Sequence, residues 1–496
     1  MDIAGGENDA VPHVLIFPLP IQSPVNSMLK LAELLCLAGV HVTFLITKHN
    51  HQRLLHSTDD DGGVESRFDR YPGSFRFEVI SDGFPEDHPR SVDDFLDVLN
   101  SLQGVAEPHL REVFLRPEKG RKVTCGIVEA TFSYAFEIGS EVGVPVFAFE
   151  TISPCCLGVF LCIPQLFKAG KLPLIKDLGE DQETPVDVVP GMEGLLKVRD
   201  LPRFCRTEGP QAEKSRKLFM AEIHSLRKAH GLILNSFKEL EGPILPHIRT
   251  HFPNTTYMIG PVQQHLKTRL ADRPPSSNSL WREDKTCIQW LDEQPDESVI
   301  YVSFGSLSTL TMAQLMEVWH GLVSSGVRFL WVLRPDILKP GGELSDQNMV
   351  TQLKKNCSQN GQIVSWAPQE QVLAHPAIGG FWTHSGWNST LESIIAGKPM
   401  ICWAQIVDQL ITRRVVSEVW KIGVELEDKC DRLSIEKMVK ELMRSRRQEL
   451  KKSAQKFSKL ARESVNNGGS SYTSLDHLIN DIRRLSSIEH FENTSS

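Results

Sequence analysis

The chain has 496 residues, more than one ordinary domain holds, and this length predicts two large domains. Apolar residues make up 41% and charged residues 23%, which are globular values and exclude a disordered, collagen-like or coiled-coil protein. The 54 Lys and Arg residues are outnumbered by 62 Asp and Glu, so the net charge is −8. Because there is no basic excess, we do not expect a nucleic-acid partner.

Targeting and redox signals are also missing from the sequence. The N-terminal residues have neither the basic nor the apolar region of a signal peptide, and no uncharged run approaches the ~20 residues of a membrane span. The ten cysteines form no CxxC pair, so neither a zinc site nor a redox dithiol is indicated. These features predict a cytoplasmic protein with reduced thiols and no membrane span.

Strands and helices alternate in both halves of the chain. The pattern predicts a strand at His13–Phe17, a helix from about Pro24 to Ala38 and a second strand at Val40–Ile46. The plan starts again with a strand at Val299–Phe304 and a helix from about Met312 to Ser325. Units of this kind predict parallel strands with crossover helices. We therefore expect an α/β protein with two doubly wound domains and a binding site in the cleft between them.

The segment Trp366–Gln409 carries the strongest functional signal. Neither first strand is followed by GxGxxG, and GxxxxGK[ST] occurs nowhere, so dinucleotide and P-loop sites lose their support. The segment resembles the signature of plant family 1 UDP-dependent glycosyltransferases over its full 44 residues. The matching residues are Trp366, Gln369, His375, His384, Gly386, Trp387, Asn388, Ser389, Glu392, Asp408 and Gln409. The resemblance covers most of the chain and, partly through Val189–Arg206, is strongest to the 7-deoxyloganetic acid glucosyltransferase-like branch.

This resemblance implies a GT-B fold, in which two Rossmann-like domains face each other across a cleft. It places an acceptor-binding domain at residues 1–255 and a UDP-sugar-binding domain at residues 256–475. The final helix, residues 476–496, is expected to cross back to the first domain. The resemblance further implies a monomer that uses UDP-glucose as co-substrate, a small hydrophobic acceptor, and neither cofactor nor metal.

The resemblance also assigns roles within the donor site. His384, Asn388 and Ser389 would hold the diphosphate, while Glu392 would accept hydrogen bonds from both ribose hydroxyls. The other implied donor residues are Ser306 beside the diphosphate, Trp366 against uracil with Gln369 close by, Gly386 at the point of close backbone approach, Asp408 and Gln409 on the sugar, and Trp387, which lines the sugar end or packs in the core.

The local sequence supports a diphosphate site on physical grounds as well. Ile378–Thr383 is predicted to be a buried strand, and a helix is predicted to begin soon after it, near Asn388. Free backbone N–H groups and the positive end of the helix dipole favour an anion at such a helix start. Gly386 has no Cβ, so the backbone there can approach a ligand closely.

Two positions depart from the family pattern where a catalytic base is expected. An inverting transfer needs a base opposite the leaving UDP, and the family's histidine is replaced here by Pro24. The aspartate that orients this histidine is replaced by Glu129, which is too short to take the imidazole's place but could act through one water. Alternatively, Glu129 is a strand-end carboxylate paired with a polar neighbour.

A missing base matters less when the acceptor is already nucleophilic, as a carboxylate, a hemiacetal or an acidic phenol is. The sequence therefore predicts inverting transfer of glucose to a hydroxyl, hemiacetal or carboxyl group of a small hydrophobic plant metabolite, such as an iridoid, a terpenoid or a phenolic. The alternative is a sugar-nucleotide-binding protein of the same fold with little transferase activity, or one recruited to another reaction. Candidates for the acceptor walls, each of which core packing would also explain, are Phe17, Ile21, Phe84, Phe149, Thr151 and Cys155.

Overall fold

The structure, a computed structural model, describes residues 11–57, 64–86, 88, 90, 95–117, 121–172, 183–186, 189–252, 255–270, 279–338, 350–355, 357, 360–426 and 430–494. Within these ranges the chain forms two separate parallel sheets, of seven and six strands. The expected two doubly wound α/β units are therefore present.

The first sheet has the strand order β3-β2-β1-β4-β5-β6-β7, and all of its strand pairs are parallel. Its strands are β1 His13–Phe17, β2 His41–Thr47, β3 Phe75–Ile80, β4 Cys125–Glu129, β5 Val146–Glu150, β6 Gly231–Leu234 and β7 Thr256–Met258. The strand order reverses at β1, which pairs with both β2 and β4. Ligands of open α/β sheets bind beyond the carboxyl ends of the strands at such a point.

The second sheet has the order β10-β9-β8-β11-β12-β13 and is also parallel throughout. Its strands are β8 Val299–Ser303, β9 Arg328–Val332, β10 Gly361–Val364, β11 Ile378–Thr383, β12 Met400–Cys402 and β13 Gly423–Glu425. Here β8 pairs with both β9 and β11, so the loops that follow β8 and β11 leave the sheet side by side.

Helices connect the strands of both sheets. They are α1 Gln22–Leu37, α2 Lys48–His56, α3 Phe95–Leu115, α4 Ser133–Val142, α5 Pro154–Lys168, α6 Pro210–Leu226, α7 Lys238–Glu241, α8 Leu245–His251, α9 Val262–Arg269, α10 Thr286–Asp292, α11 Met312–Ser325, α12 Gln369–Ala374, α13 Trp387–Ala396, α14 Asp408–Arg414, α15 Arg432–Lys440, α16 Arg447–Val465 and α17 Ser470–Thr494. None of the helices among the described residues has the length and apolar character needed to span a bilayer.

One hydrophobic core cluster extends through both sheets. It includes Leu15 and Val128 of the first sheet together with Tyr301 and Phe381 of the second. Strands that are buried on both faces are mainly apolar, and in β1, β4, β8 and β11 the polar residues stand only at the ends. The shared core fixes the two domains against each other on one side of the cleft.

The last helix, α17, returns to the first domain. Its buried residues Leu475, Leu478 and Ile479 belong to the cluster that contains Val14 of β1. The helix begins at Ser470, earlier than the predicted position 476, and β7 extends the first sheet to Met258, beyond the predicted boundary at residue 255. The domain boundaries given by the sheets therefore differ slightly from those expected from the sequence.

Candidate functional site

A cavity of about 590 Å³ lies between the two domains, at the carboxyl ends of β8 and β11. The N-terminal domain contributes residues of α1, and the C-terminal domain contributes residues of α12 and α13. The predicted donor-site residues that line it are Ser306, Trp366, Gln369, His384, Gly386, Asn388, Ser389 and Glu392. The fold thus brings together eight residues whose sequence positions span 306 to 392.

The His384 imidazole is enclosed between two glycines. A Cβ placed on either Gly305 or Gly386 would lie 2.4 Å from Nε2 of His384, so any larger residue would displace the ring. Gly305 also has a φ of +73°, which glycine adopts without strain. Burial, reinforced by the nearby positive charge of Arg334, lowers the pKa of His384 to about 4. The ring is therefore neutral at pH 7.

Arg334 fixes the loop that follows β8, a role that sequence reasoning missed. Its buried guanidinium donates from Nη1 to the Gly305 carbonyl at 2.8 Å and from Nη2 to the Ser308 carbonyl at 2.7 Å. These two bonds span the loop that presents Ser306 to the cavity. The available sequence signal was a charged residue directly after an apolar run, VRFLWVLR, where burial requires a partner.

Helix α13 begins at the cavity and points its N-terminus into it. Gly386 is the residue before the helix, and Asn388 lies in its first turn. The Asn388 side chain joins the two domains, because its Nδ2 donates to the Ser23 carbonyl at 2.9 Å while its Oδ1 accepts from Asn235 Nδ2 at 3.2 Å. The predicted diphosphate position therefore has free helix N–H groups and an ordered amide.

Glu392 is held in place by an amide network. Gln369 Nε2 donates to Glu392 Oε2 at 2.7 Å and to Ser389 Oγ at 2.9 Å, while Tyr301 donates its hydroxyl proton to Gln369 Oε1 at 3.2 Å. Burial and the neighbouring carboxylate of Glu370 raise the pKa of Glu392 to about 7. The unbound protein therefore binds a proton at Glu392 more readily than a solvated glutamate would.

Trp366 belongs to a stack of two tryptophan rings and one guanidinium, formed by Trp366, Trp281 and Arg53, at the edge of the cavity. Its ring stacks on Trp281, with centroids 5.5 Å apart and planes 23° from parallel. The guanidinium of Arg53, on α2 of the first domain, lies 4.1 Å from the centroid of Trp281. Trp281 lies at the start of the second domain, so this stack connects the two domains beside the predicted uracil position.

Three predicted donor residues lie outside the described lining of this cavity. Trp387 is 2% exposed, donates from Nε1 to the Asn235 carbonyl at 2.9 Å and contacts Trp420, so it packs in the core. The side-chain oxygen of Gln409 accepts hydrogen bonds from the backbone nitrogens of Gln405 and Ile406. Burial raises the pKa of Asp408, at the start of α14, to about 6. The sugar contacts of these three residues remain predictions.

The two departures from the family pattern lie in the first domain. Pro24 is buried in the first turn of α1. Glu129 ends β4 and is 3% exposed. Its Oε2 accepts from the Thr131 backbone nitrogen at 2.9 Å, and its Oε1 accepts from Thr151 Oγ1 at 2.8 Å. Burial raises the pKa of Glu129. This geometry agrees with the alternative given from the sequence, in which Glu129 is a strand-end carboxylate paired with a polar neighbour.

The acceptor candidates fall into two groups, and the described cavity lining includes none of them. Phe17 and Phe149 have no exposed surface, and Phe17 stacks on Phe132 with centroids 4.4 Å apart, so these two residues pack in the cores. The partly exposed candidates are Ile21, Phe84, Thr151 and Cys155. No group of three or more His, Cys, Asp or Glu side chains that could hold a metal ion occurs in the described part of the chain.

Comparisons with known proteins agree with this architecture. Residues 278–464 match the family described as UDP-glucoronosyl and UDP-glucosyl transferase. A 7-deoxyloganetic acid glucosyltransferase of Catharanthus roseus is 46% identical over 97% of this chain and 99% of its own. A myricetin 3-O-rhamnoside 1,2-glucosyltransferase of Crocosmia x crocosmiiflora is 40% identical over 97% of each chain. The solved complex of Os79 from O. sativa with UDP has a TM-score of 0.76 and 28% identity, covering 95% of this chain and 100% of that chain.

The likeness to the Os79 complex extends along both sheets, and the GT-B prediction is confirmed. The family match and the UDP bound in that structure likewise confirm that the donor is a UDP-sugar. An identity of 46% over almost the full length of both chains leaves no doubt about kinship: the protein is an enzyme of the UDP-dependent glycosyltransferase family.

Proposed function

We propose that the protein transfers glucose from UDP-glucose, with inversion, to a hydroxyl, hemiacetal or carboxyl group of a small hydrophobic metabolite of iridoid, terpenoid or phenolic type. The observation that carries the proposal is the set of groups around α13, where a free helix N-terminus, a neutral imidazole and a hydrogen-bonded carboxyl group face one cavity. The printed name of the Catharanthus roseus relative, a 7-deoxyloganetic acid glucosyltransferase, supports the acceptor class.

In this proposal the cavity residues stabilise the leaving nucleotide. The diphosphate lies at the N-terminus of α13, where the hydroxyls of Ser306 and Ser389 and the backbone N–H groups of the first helical turn supply hydrogen-bond donors. His384 is neutral and donates a hydrogen bond from its ring without adding charge. Glu392, once ionised, accepts from the ribose hydroxyls, and Trp366 offers a flat face to uracil. Because the donors are already oriented, charge on the departing diphosphate is stabilised at little reorganisation cost.

The proton of the acceptor is proposed to reach Glu129. Pro24 cannot accept a proton, and Thr151 Oγ1 already lies 2.8 Å from Glu129 Oε1. An acceptor hydroxyl beside Thr151 could pass its proton through that hydroxyl, or through one water, to the carboxylate. Burial raises the pKa of Glu129 above its usual value, which makes the carboxylate a better proton acceptor. Acceptors that are already acidic or ionised need this help least.

The test is an assay of UDP-glucose with a matched panel of carboxylic acids, hemiacetals, acidic phenols and alkyl alcohols, with product detected by mass. The proposal predicts glucosides of the first three classes, with the anomeric configuration inverted relative to the donor, and slow reaction of the alcohols. Binding of UDP-glucose with no glucoside from any class would contradict it and favour the sugar-nucleotide-binding alternative. The monomeric state and the cytoplasmic location remain predictions.

A further inference from the structure

The N-terminal domain places a lysine inside the cleft that no donor-site pattern contains. Lys30, on α1, has a side chain only 9% exposed and forms an ion pair with Glu370 of α12, in the opposite domain. Both residues line the same cavity as Glu392. The pair therefore connects the two domains across the cleft, beside the proposed ribose position.

The other charges on this face of α1 are already compensated. Glu33, one turn further along α1, is 1% exposed and is paired with the buried Arg67, while Arg70 lies 3.6 Å from its other oxygen. Because Glu33 is neutralised within its own domain, its carboxylate does not compete strongly for the Lys30 ammonium. The lysine is thus free to pair across the cleft with Glu370.

Glu370 is coupled directly to the ribose site. It follows Gln369, whose amide donates to Glu392 at 2.7 Å. The charges of Glu370 and Lys30 act on Glu392 in opposite directions, the first raising and the second lowering its pKa. A lysine at this place compensates two neighbouring carboxylates that would otherwise repel each other inside one cavity.

We propose that Lys30 is a donor-positioning residue supplied by the N-terminal domain, and that its ion pair with Glu370 holds the two domains at the separation that encloses the nucleotide ribose. The inference rests on the proposed donor site. It assigns to α1 a contribution to UDP-sugar affinity, in addition to any part it has in acceptor binding. Removal of Glu370 leaves the buried Lys30 ammonium without its ion-pair partner, and removal of Lys30 leaves Glu370 and Glu392 to repel each other. Removal of both residues eliminates the ammonium and the repulsion together.

The experiment is a double-mutant cycle with Lys30→Met, Glu370→Gln and the combined variant. We expect Lys30→Met to raise KM for UDP-glucose about tenfold with a smaller change in kcat, since the pair acts on donor binding. Glu370→Gln should raise KM less, because loss of the Glu370 charge also favours the ionised form of Glu392. The double variant should have a KM for UDP-glucose no higher than that of the single variant with the higher KM. An exposed pair within the first domain, Lys48 and Glu86, provides the control cycle and should leave KM unchanged.

Two outcomes would overturn the inference: single variants with wild-type KM, or effects that simply add in the double variant. Thermal unfolding of each variant separates a loss of folding from a loss of donor binding, and Lys30→Arg, which keeps the charge, should retain most of the affinity. Failure of the proposed donor site is recognised independently, because then Glu392→Ala would bind UDP like the wild type. A weakened Glu392→Ala with unaffected Lys30 variants rejects the lysine role alone.

Discussion

Thr151 donates its hydroxyl proton to Glu129 across 2.8 Å, so the carboxylate that replaces the family's aspartate has a hydroxyl rather than an imidazole as its side-chain partner. The second oxygen of Glu129 accepts from the Thr131 backbone. The carboxylate is consequently fixed at the end of β4, where a histidine on α1 would be expected to meet it and Pro24 stands instead. This relationship underlies the first prediction.

Glu129→Gln should lower turnover by about 10²–10⁴-fold while UDP affinity stays unchanged, because the amide keeps the shape but cannot take a proton. Thr151→Val should lower turnover as well, by removing the hydroxyl that bonds Glu129. Glu141→Gln, at an exposed carboxylate on α4 of the same domain, is the control and should retain turnover. Steady-state kinetics measures turnover of all three variants. Normal turnover of Glu129→Gln would contradict the proposed proton transfer to Glu129.

Glu392→Ala should weaken UDP binding by about 1.5–3 kcal/mol, the range for hydrogen bonds to a charged group. Trp366→Ala should also weaken it, through loss of the stacking face. The exposed carboxylate Glu449 on α16 supplies the control variant Glu449→Ala, which should bind like the wild type. Isothermal titration with UDP decides the matter, and unchanged affinity in both site variants would show that the nucleotide binds elsewhere.

Arg334→Met should weaken UDP binding about tenfold or more and leave uridine binding nearly unchanged. The reason is that Arg334 holds the loop of Gly305 and Ser306, which we place beside the diphosphate in the proposed donor site. Comparing the two ligands separates this local effect from general unfolding, and Arg334→Lys should recover part of the loss. Equal weakening of UDP and uridine would contradict the role in the loop.

UDP-glucose affinity should fall as the pH drops below about 7. Burial raises the pKa of Glu392 to about 7 in the unbound protein. The ionised carboxylate can accept from both ribose hydroxyls with its two oxygens, whereas the protonated acid uses one oxygen as a donor. Binding must then displace a proton at low pH, at a cost of up to about tenfold in affinity one pH unit below the pKa. UDP-glucose is the suitable ligand because its diphosphate has no proton to lose in this range. Glu392→Gln should bind weakly with no such slope, and a slope that survives in this variant would assign it to another group.

The sequence predicted the fold well because its signals are local. Apolar runs such as His13–Phe17 and the helix that follows it were expected within two residues of their observed bounds, since periodicity reports burial directly. The cluster from Trp366 to Glu392 was predictable because it belongs to one contiguous family signature, which runs from the end of β10 through α12 and β11 into α13. Ser306 lies outside that segment and follows the adjacent strand β8.

Contacts between distant segments could not be predicted in this way. Lys30 and Glu370 are 340 positions apart, and nothing in the pattern of either helix says that they meet. The direction of a side chain was equally hidden: Trp387 begins α13 beside the cavity yet points into the core, while Phe17 ends β1 and stacks on Phe132. The directions of both side chains depend on which face of the helix or strand is covered by the rest of the protein.

The measurement that tests the central claim most directly is kcat/KM for glucose transfer to a matched series of acceptors of graded pKa, compared between the wild type and Pro24→His with Glu129→Asp. Without a histidine base, the wild-type rate should rise steeply as the acceptor becomes more acidic. The double variant, which restores the family pair, should gain chiefly on poorly acidic alcohols and flatten that dependence. A wild-type rate that does not depend on acceptor pKa would contradict the account and require a base from another part of the chain.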